Sequence, residues 1–329
     1  MRIGVLGDVM LGRGVAAELA RREPEELWSR ELRELCLSLD VVICNLECCI
    51  STRGRPTERI PGKPFFFRGP PRAIEALRAI GVQAVGLANN HALDYETAAL
   101  EDTLHLLPAG GIAVAGAGRD QSEARRGGVV EAGGSRIGLV AASDHPEEYA
   151  ASPREPGIAY ADLERGVPEW LAEEIASLRD HSDFVIAFPH WGWNMTTAPK
   201  PWQRRVAADL QAVGADLVAG HSAHVFHGTA WTERGPILYD LGDALDDYAR
   251  DGELRNDLGL LAIWTPGEGG GELELVGLKL DYCHTGLAEG ADASWIAARL
   301  ESACADLGTA VEPASDTLGL WRIRRSKSS

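Results

Sequence analysis

The sequence predicts an α/β fold with a mostly parallel sheet. Up to about residue 220, short apolar runs alternate with helical patterns, which is typical of successive βαβ units. The chain has 329 residues, of which 45% are hydrophobic, and this is enough to bury a large core. Polar residues that can bind a metal follow five of the apolar runs. In an open α/β sheet, such residues meet at the carboxyl ends of the strands.

The elements follow from hydrophobic periodicity and from turn residues. Leu27, Leu32, Leu35 and Leu39 form a helical stripe, and the pair Gly133-Gly134 separates two strand-like runs in the manner of a hairpin. The predicted strands are residues 3–6, 41–44, 82–87, 112–115, 129–131, 137–140, 184–188, 216–219 and 237–239. The predicted helices are residues 24–39, 71–80, 96–107, 168–179, 202–213 and 293–307.

The character of the chain changes after residue 240. Two β-like runs, residues 258–265 and 272–281, indicate either a second sheet or an antiparallel extension of the first. Residues 146–167 contain three prolines, and we expect an irregular segment there that could act as a lid. No linker divides the chain, so we expect a single domain over residues 1–310 and a partly disordered tail over residues 311–329.

Composition excludes several classes of function. The formal net charge is −17, which argues against nucleic acid or an anionic membrane surface as the main partner. The six cysteines contain no C-x-x-C pair, and we expect buried thiols in a reducing compartment. The N-terminal apolar run is too short for a signal peptide, and no run reaches the roughly 18 apolar residues of a membrane span. We therefore expect a cytoplasmic protein.

The polar residues at the strand ends form a set with metal-binding chemistry. They are Asp8, Asn45, Glu47, Asn90, His91, His190, His221 and His224. Carboxylates and imidazoles together suit Mn, Zn or Fe, while the oxygen ligands also admit Ca or Mg. These residues exceed the needs of one ion, so one or two divalent metal ions are expected. A single histidine after a strand is usually a core or surface residue. Here two histidines share the turn after residues 216–219 and two more lie at the ends of other strands, and this conjunction favours a metal site.

Several motifs resemble the CapA family of poly-γ-glutamate capsule synthesis proteins, within the calcineurin-like metallophosphoesterase superfamily. They are Gly-Asp-Val-Met-Leu-Gly-Arg at 7–13, Asn-Leu-Glu at 45–47, Leu-Ala-Asn-Asn-His-Ala-Leu-Asp at 87–94, His-Trp-Gly at 190–192 and Gly-His-Ser-Ala-His-Val at 220–225. The resemblance spans about residues 1–265 in the family's order. It implies a four-layer α/β/β/α sandwich with two mixed sheets and a divalent-metal site at one sheet edge.

The resemblance also implies roles for individual residues. The metal ligands would be Asp8, Glu47, Asn90, His190, His221 and His224, with Glu47 at the position of a bridging aspartate. His91 would be the general acid/base and Arg13 would hold a substrate anion, so His91, Asp8 and Arg13 form the expected catalytic set. Further candidate substrate contacts are Asn45, Arg68, Asp144, His145 and Trp191. For Phe65, Phe66 and Phe67, we weigh core packing under a long loop against a cleft wall.

The chain departs from the phosphoesterase pattern at three places. Met10 stands where the Asp-x-His motif has a ligand, Glu47 replaces the bridging aspartate, and Trp193 follows His-Trp-Gly where many similar proteins carry a nearby glutamate. One metal position is therefore expected to be weak. Asp243, Asp246 and Asp247 are either partners of the metal-binding histidines or part of a solvated acidic turn.

Three functions compete at this stage. The first is a metal-dependent hydrolase that cleaves an anionic amide, a γ-glutamyl bond or a phosphoester with metal-activated water and His91. The second is a metal-dependent peptide epimerase or isomerase, in which His91 moves a proton next to a polarised carbonyl. The third is a non-enzymatic, polymer-binding subunit of capsule synthesis. The expected partner is thus a small molecule, a peptide or poly-glutamate.

Overall fold

The computed structural model describes residues 1–315 and 319–325. The first part of the chain contains β1 (Ile3–Val9), α1 (Arg13–Leu19), α2 (Arg30–Leu37), β2 (Val41–Leu46), β3 (Cys49–Ile50), β4 (Arg68–Gly69), α3 (Ala73–Ala79), β5 (Val82–Gly86), α4 (Glu96–Ala109), β6 (Ala113–Ala115), β7 (Ala117–Gly118), α5 (Gln121–Arg125), β8 (Gly128–Ala132) and β9 (Ser135–Ser143). The second part contains β10 (Gly157–Ile158), α6 (Glu169–His181), β11 (Phe184–His190), α7 (Pro201–Ala212), β12 (Leu217–Ala219), β13 (Thr229–Trp231), β14 (Pro236–Leu238), β15 (Asp243–Leu245), β16 (Leu258–Thr265), β17 (Glu272–Asp281), β18 (His284–Leu287), α8 (Gly290–Ala305), β19 (Thr309–Ser315) and β20 (Leu320–Arg325).

The larger of the two main sheets has ten strands. Its order is β19-β20-β17-β16-β1-β2-β5-β6, with β15 beside β1 and β18 beside β17. Strands β1, β2, β5 and β6 are parallel, whereas β16 is antiparallel to β1 and starts a meander with β17 and β18. The two late runs therefore extend the first sheet, which is the second of the two alternatives predicted for them.

The smaller main sheet has six strands in the order β13-β14-β12-β11-β9-β8. Strands β9, β11, β12 and β14 are parallel, and the antiparallel strands β8 and β13 form its edges. The predicted hairpin at residues 129–140 is present as β8 and β9. Both sheets are thus mixed, and each exposes the carboxyl ends of its parallel strands at one edge.

The two sheets pack face to face between layers of helices. Leu139, Ile186 and Phe188 of the small sheet share one core with the apolar residues of β1 and β2. Contact is close enough that a Cβ on Gly86 would lie 2.6 Å from the Phe188 ring. The opposite face of the small sheet, with Val185, packs on α6 and α7, while α3 and α4 contact β5 and β6 of the large sheet. The four-layer α/β/β/α prediction is confirmed.

The C-terminal segment differs from the expected tail. Strands β19 and β20 add to the edge of the large sheet through pairing of β20 with β17. Trp321 and Ile323 are buried, and the alternating residues Arg322 and Arg324 pair with Glu274 and Glu312. Residues 309–315 and 320–325 therefore form strands of the large sheet, and the basic residues of the second strand obscure its alternation in the sequence. Residues 316–318 and 326–329 lie outside the described residues.

All six cysteines are free and buried, which agrees with the predicted buried thiols. No helix in the described ranges is long and apolar enough to cross a bilayer.

Candidate metal centre

The predicted strand ends meet at one edge, between the two sheets. Asp8 lies near the end of β1, and Glu47 directly follows β2. His190 ends β11, and His221 lies two residues after β12. A parallel bridge between His190 and His221 continues the pairing beyond the regular strands. The parallel register of both sheets therefore brings these side chains together, as expected for open α/β sheets.

Asp8 stands between two sets of partners. Its Oδ1 accepts a hydrogen bond from Asn45 Nδ2 at 2.6 Å and lies 3.6 Å from His221 Nδ1. Its Oδ2 accepts from the Ser222 backbone N–H at 3.2 Å and lies 3.6 Å from His224 Nδ1. The two carboxylate oxygens thus face opposite sides of the site.

Two buried groups of ligand atoms share Asp8. The first group is Asp8, His190 and His221, and the second group is Asp8, Glu47, His224 and Asp243. In each group, one ligand atom per residue lies within 4.8 Å of all the others. The shared residue is therefore Asp8, whereas Glu47, at the expected bridging position, belongs to the second group alone.

The residues of both groups fit a divalent metal ion. Several of their polar atoms are buried without a hydrogen-bond partner, namely Glu47 Oε1, His190 Nε2, His221 Nε2 and Asp243 Oδ2. Leaving one such atom unsatisfied costs about 1–3 kcal/mol, so a cluster of them calls for a compensating ligand. Mixed carboxylate and imidazole donors suit Zn, Mn or Fe. The two groups could hold metal ions.

The pKa values of the site also indicate that its buried carboxylates need a cation. Burial raises the pKa of Glu47 to about 8 and that of Asp243 well above its ordinary range. Burial lowers the pKa of His221 to about 3. Burial also lowers the pKa of His224, but Asp243 and Glu47 outweigh it and raise that pKa well above its usual value. The raised pKa values of Glu47 and Asp243 show that burial opposes their ionisation, and a cation beside them would favour it.

The loop after β12 holds its histidines in a constrained backbone. Ser222 has φ 115° and His224 has φ 58°, conformations that non-glycine residues rarely adopt. Asp240 fixes the loop by accepting from the backbone N–H groups of Ala223 and Gly242, both at 2.8 Å. Backbone strain of this kind persists only where surrounding contacts hold the residues in place, and it is concentrated at functional sites.

His91 lies next to the second group with one ring nitrogen already engaged. Its Nδ1 is 2.5 Å from Asp94 Oδ2, and its Nε2 is 3.8 Å from Glu47 Oε1. The ring stacks on Phe67 with 3.8 Å between centroids. Burial lowers the pKa of His91 to about 4, although Asp94 acts in the opposite direction. A neutral imidazole with a free Nε2 therefore faces the candidate ligand Glu47.

Asp94 connects His91 to two other loops. It is fully buried and accepts from the Phe67 backbone N–H at 2.6 Å and from Tyr149 Oη at 3.1 Å. Lys63 Nζ lies 3.2 Å from Asp94 Oδ1. Sequence reasoning assigned Asp94 no role, although its position three residues after His91 places it within reach of that ring.

The comparison with known families agrees with this geometry. The model of the bacterial capsule synthesis protein PGA_cap family matches residues 2–248, a range that contains every residue of the two groups. The chain belongs to the PGA_cap family. The resemblance predicted from the motifs is thus confirmed.

Individual relatives extend the match over most of the chain. A probable polyglutamine synthesis accessory protein of Mycobacterium tuberculosis is 30% identical over 95% of this chain and 93% of its own length. The PGA biosynthesis protein CapA of Bacillus subtilis is 25% identical over 74% of this chain and 62% of its own length. Among solved structures, a hypothetical protein from Thermus thermophilus has a TM-score of 0.43 at 15% identity, covering 87% of this chain and 96% of that one.

The three asparagines near the centre of this PGA_cap member divide in role. Asn45 donates to Asp8 and accepts from Asn89 Nδ2 at 3.1 Å, so its buried amide positions Asp8. This corrects its expected place among the substrate contacts. Asn90 keeps its Oδ1 buried without a hydrogen-bond partner, which suits the predicted ligand role, while its backbone carbonyl accepts from Lys63 at 2.7 Å.

Two predicted substrate residues lie elsewhere. Trp191 is 1% exposed and donates from Nε1 to the Tyr239 carbonyl at 3.0 Å, on the helix side of the small sheet. Because side chains alternate along a strand, His190 and Trp191 face opposite ways. The Arg68 guanidinium donates to the Arg53 carbonyl at 2.7 Å and lies 4.0 Å from the ring centroid of Tyr95. The assignment of Trp191 is therefore corrected to a structural role, whereas the substrate contact of Arg68 stays a prediction.

The other predicted substrate residues lie around the two groups. Asp144 and His145 line a cleft of about 520 Å³, and the His145 ring is 5.1 Å from that of His190. The Arg13 guanidinium lies 5.4 Å from the Phe67 ring centroid, on the side of the second group. Phe67 is thus a buried wall of the site, whereas Phe65 is largely exposed.

The acidic turn and Met10 change the expected ligand count. Asp243 and Asp246 are buried, so the solvated-turn interpretation is wrong for both. Asp243 pairs in register with Asp8 through β15 and β1, and its Oδ1 lies 2.8 Å from His224 Nδ1. The Met10 sulfur instead accepts from the Gly12 N–H at 3.0 Å. Asp243 thus gives the second group four residues, although Met10 supplies no ligand of the expected type.

The sharing of Asp8 predicts how metal content responds to substitution. We expect the protein, reconstituted with Mn or Zn, to retain about two metal equivalents. His221→Ala should remove the equivalent held by the first group, Asp243→Asn should weaken that held by the second, and Asp8→Asn should remove both. Inductively coupled plasma mass spectrometry after dialysis measures this. His105→Ala, on the exposed face of α4, is the matched control, and equal losses in the His221 and Asp8 variants would contradict the shared position.

The raised carboxyl pKa values predict how stability changes with pH. In the metal-free protein, the pKa of Glu47 is about 8 against an ordinary 4.5. Its contribution to the free energy of unfolding is full below about pH 4.5 and is lost as the pH rises through about 8. His221, with a pKa lowered to about 3, loses its contribution only as the pH falls below about 6.5. Between about pH 6.5 and 8.5, the metal-free protein should therefore lose stability.

Thermal melts with and without metal test this dependence. The rise in Tm on adding metal should be larger at about pH 8.5 than at about pH 6.5, because ligands must be deprotonated to bind. Glu47→Gln should flatten the decline of the metal-free protein. A metal-free Tm that is constant or rising across this range would show that the carboxyls do not carry raised pKa values.

Proposed function

We propose that this PGA_cap member is a metal-dependent hydrolase that cleaves an amide bond of γ-glutamyl type or, second, a phosphoester. The observation that carries the proposal is the pair of buried groups sharing Asp8, with the free Nε2 of His91 at 3.8 Å from Glu47. Together they combine metal ligands with a proton-transfer group in one site.

The two groups supply the electrophilic part of the chemistry. The first group would hold one divalent ion through His190 and His221, and the second would hold another through Glu47, His224 and Asp243, with Asp8 in both. Such ions lower the pKa of water and polarise a carbonyl or phosphoryl oxygen. The chain's own contribution is to fix these ligands, with Asn45 orienting Asp8 and Asp240 orienting the His221–His224 loop.

His91 is suited to move the proton. Asp94 accepts from Nδ1, which places the free lone pair on Nε2 and fixes the plane of the ring against Phe67. Nε2 can then accept a proton from the attacking water and return it to the leaving group. Because Asp94 is itself held by Tyr149 and the Phe67 N–H, the orientation of the ring does not depend on substrate.

Arg13 supports an anionic substrate. Its guanidinium is one-third exposed and lies beside the Phe67 and Tyr248 rings, at 5.4 and 5.8 Å from their centroids. Arg13 Nη2 forms an ion pair with Asp247 Oδ1 at 3.1 Å that is not aligned as a hydrogen bond, so the other N–H groups of the guanidinium can donate to a substrate carboxylate. A γ-glutamyl chain carries carboxylates next to amide bonds, which is the combination that Arg13 and the two groups suit.

A peptide epimerase is the second candidate. The free Nε2 of His91 lies 3.8 Å from Glu47, a candidate ligand of the ion that would polarise a substrate carbonyl. A neutral imidazole in this position can remove a proton from the carbon next to that carbonyl and return it.

Replacing His91 separates metal binding from chemistry. We expect His91→Ala to retain metal and to lower turnover by about 10²- to 10⁴-fold. The substrates are γ-glutamyl-p-nitroanilide and bis(p-nitrophenyl) phosphate, assayed with Mn or Zn, and His181→Ala on α6 is the control.

The possible outcomes separate the candidates. Full turnover in the metal-loaded His91 variant would refute the role of this residue. Absence of turnover on both substrates by the metal-loaded wild type would count against the hydrolase. Incorporation of deuterium from heavy water into a γ-glutamyl peptide would then favour the epimerase.

A further inference from the structure

A second feature of the site is the cleft of about 520 Å³ beside the first group, which we call the tryptophan cleft. Its lining residues are Asp144, His145, Asp162, Glu164, Gly192, Trp193, Asn194 and Trp202. The Asp144 backbone N–H donates to the His190 carbonyl at 3.1 Å, and the ring of His145 lies 5.1 Å from that of His190. The cleft therefore lies next to the first group, with His145 between the cleft and His190.

Two indoles border the tryptophan cleft. Trp193 is 79% exposed, the largest exposed fraction among the large apolar side chains described. Its backbone is nevertheless fixed, because its carbonyl accepts from Thr196 Oγ1 at 3.0 Å and the Met195 N–H donates to the Ala223 carbonyl at 2.8 Å. Trp202 is held edge-on against buried Trp191. Two indoles at one cleft form a larger aromatic surface than a single exposed side chain, and such a surface is typical of a ligand site.

The charge of the cleft is negative. Asp144, Asp162 and Glu164 contribute carboxylates, and no Lys or Arg is among its lining residues in the described part of the chain. Asp144 is engaged on both oxygens, by the His145 ring on Oδ1 and by the Gly192 N–H on Oδ2 at 2.9 Å. Asp162 pairs with a highly exposed Arg165 at 2.8 Å, a surface contact of little strength. Glu164 makes no ion pair within the described residues. Lys200 lines only the adjoining depression.

We propose that the tryptophan cleft binds a cationic organic group of the substrate, an ammonium or a guanidinium. Indole faces attract such cations, and carboxylates beside them add charge complementarity. Arg13 lies beside the second group and the cleft beside the first, so the substrate brings a carboxylate to one side of the reacting bond and a cation to the other. This rests on the proposed function and narrows its substrate to an amide that joins an acidic unit to a basic one.

The experiment compares three probes that differ in side-chain charge. They are the N-acetyl methylamides of lysine, norleucine and glutamate, titrated into the full-length, metal-loaded protein by calorimetry and tryptophan fluorescence. The lysine probe should bind about two- to fivefold more tightly than the norleucine probe, the ratio expected for one cation over an exposed indole. The glutamate probe should bind most weakly.

Matched variants locate the preference. Trp193→Ala and Glu164→Gln should each reduce the ratio of lysine to norleucine affinity towards one, while Leu37→Ala, another exposed apolar site on α2, should leave it unchanged. His221→Ala should lose turnover and the metal equivalent of the first group but keep the ratio, so failure of the hydrolase proposal and failure of this one give different results. Three results would overturn the proposal. They are saturable binding of the glutamate probe that is as tight as or tighter than that of the lysine probe, an unchanged ratio in Trp193→Ala, and no saturable binding of the lysine probe.

Discussion

Three carboxylates and three imidazoles are buried in one small volume at the edge of the two sheets, and the rest of the site depends on how their charge is compensated. Buried carboxylates resist ionisation, and the raised pKa values of Glu47 and Asp243 express this directly. A divalent cation shared through Asp8 would resolve this conflict and would bind the oxygen and nitrogen atoms that have no hydrogen-bond partner. The same cation would provide the chemistry that we propose for the protein.

The architecture makes this concentration of charge possible. Asp8 and Glu47 come from the large sheet and His190 and His221 from the small one, so the centre exists only where the two sheets face each other. The residues around the centre differ between the two groups. Aromatic rings and Arg13 border the second group, while the tryptophan cleft and its carboxylates border the first. A substrate lying across both groups would meet a different charge at each end, which would fix its direction.

The sequence was most informative where metal-binding residues follow the predicted strands. Asp8, Glu47, His190, His221 and His224 could be grouped from the order of residues alone, because parallel strands bring their carboxyl ends to one edge. Asp243 could not, since it lies in an acid-rich run and only the register of the three-residue β15 with β1 buries it. Trp191 could have been excluded by the alternation of side chains after His190. The link from Asp94 to Tyr149 depends on a contact between distant segments that periodicity does not report.

The central claim is that Asp8 joins two metal positions. Anomalous diffraction from crystals grown with Mn, collected above and below the absorption edge, tests it most directly. Two anomalous peaks should be found, one beside His190 and His221 and the other beside Glu47, His224 and Asp243, each within coordination distance of an Asp8 oxygen. A single peak that excludes Asp8, or Mn bound only at surface carboxylates, would contradict the account.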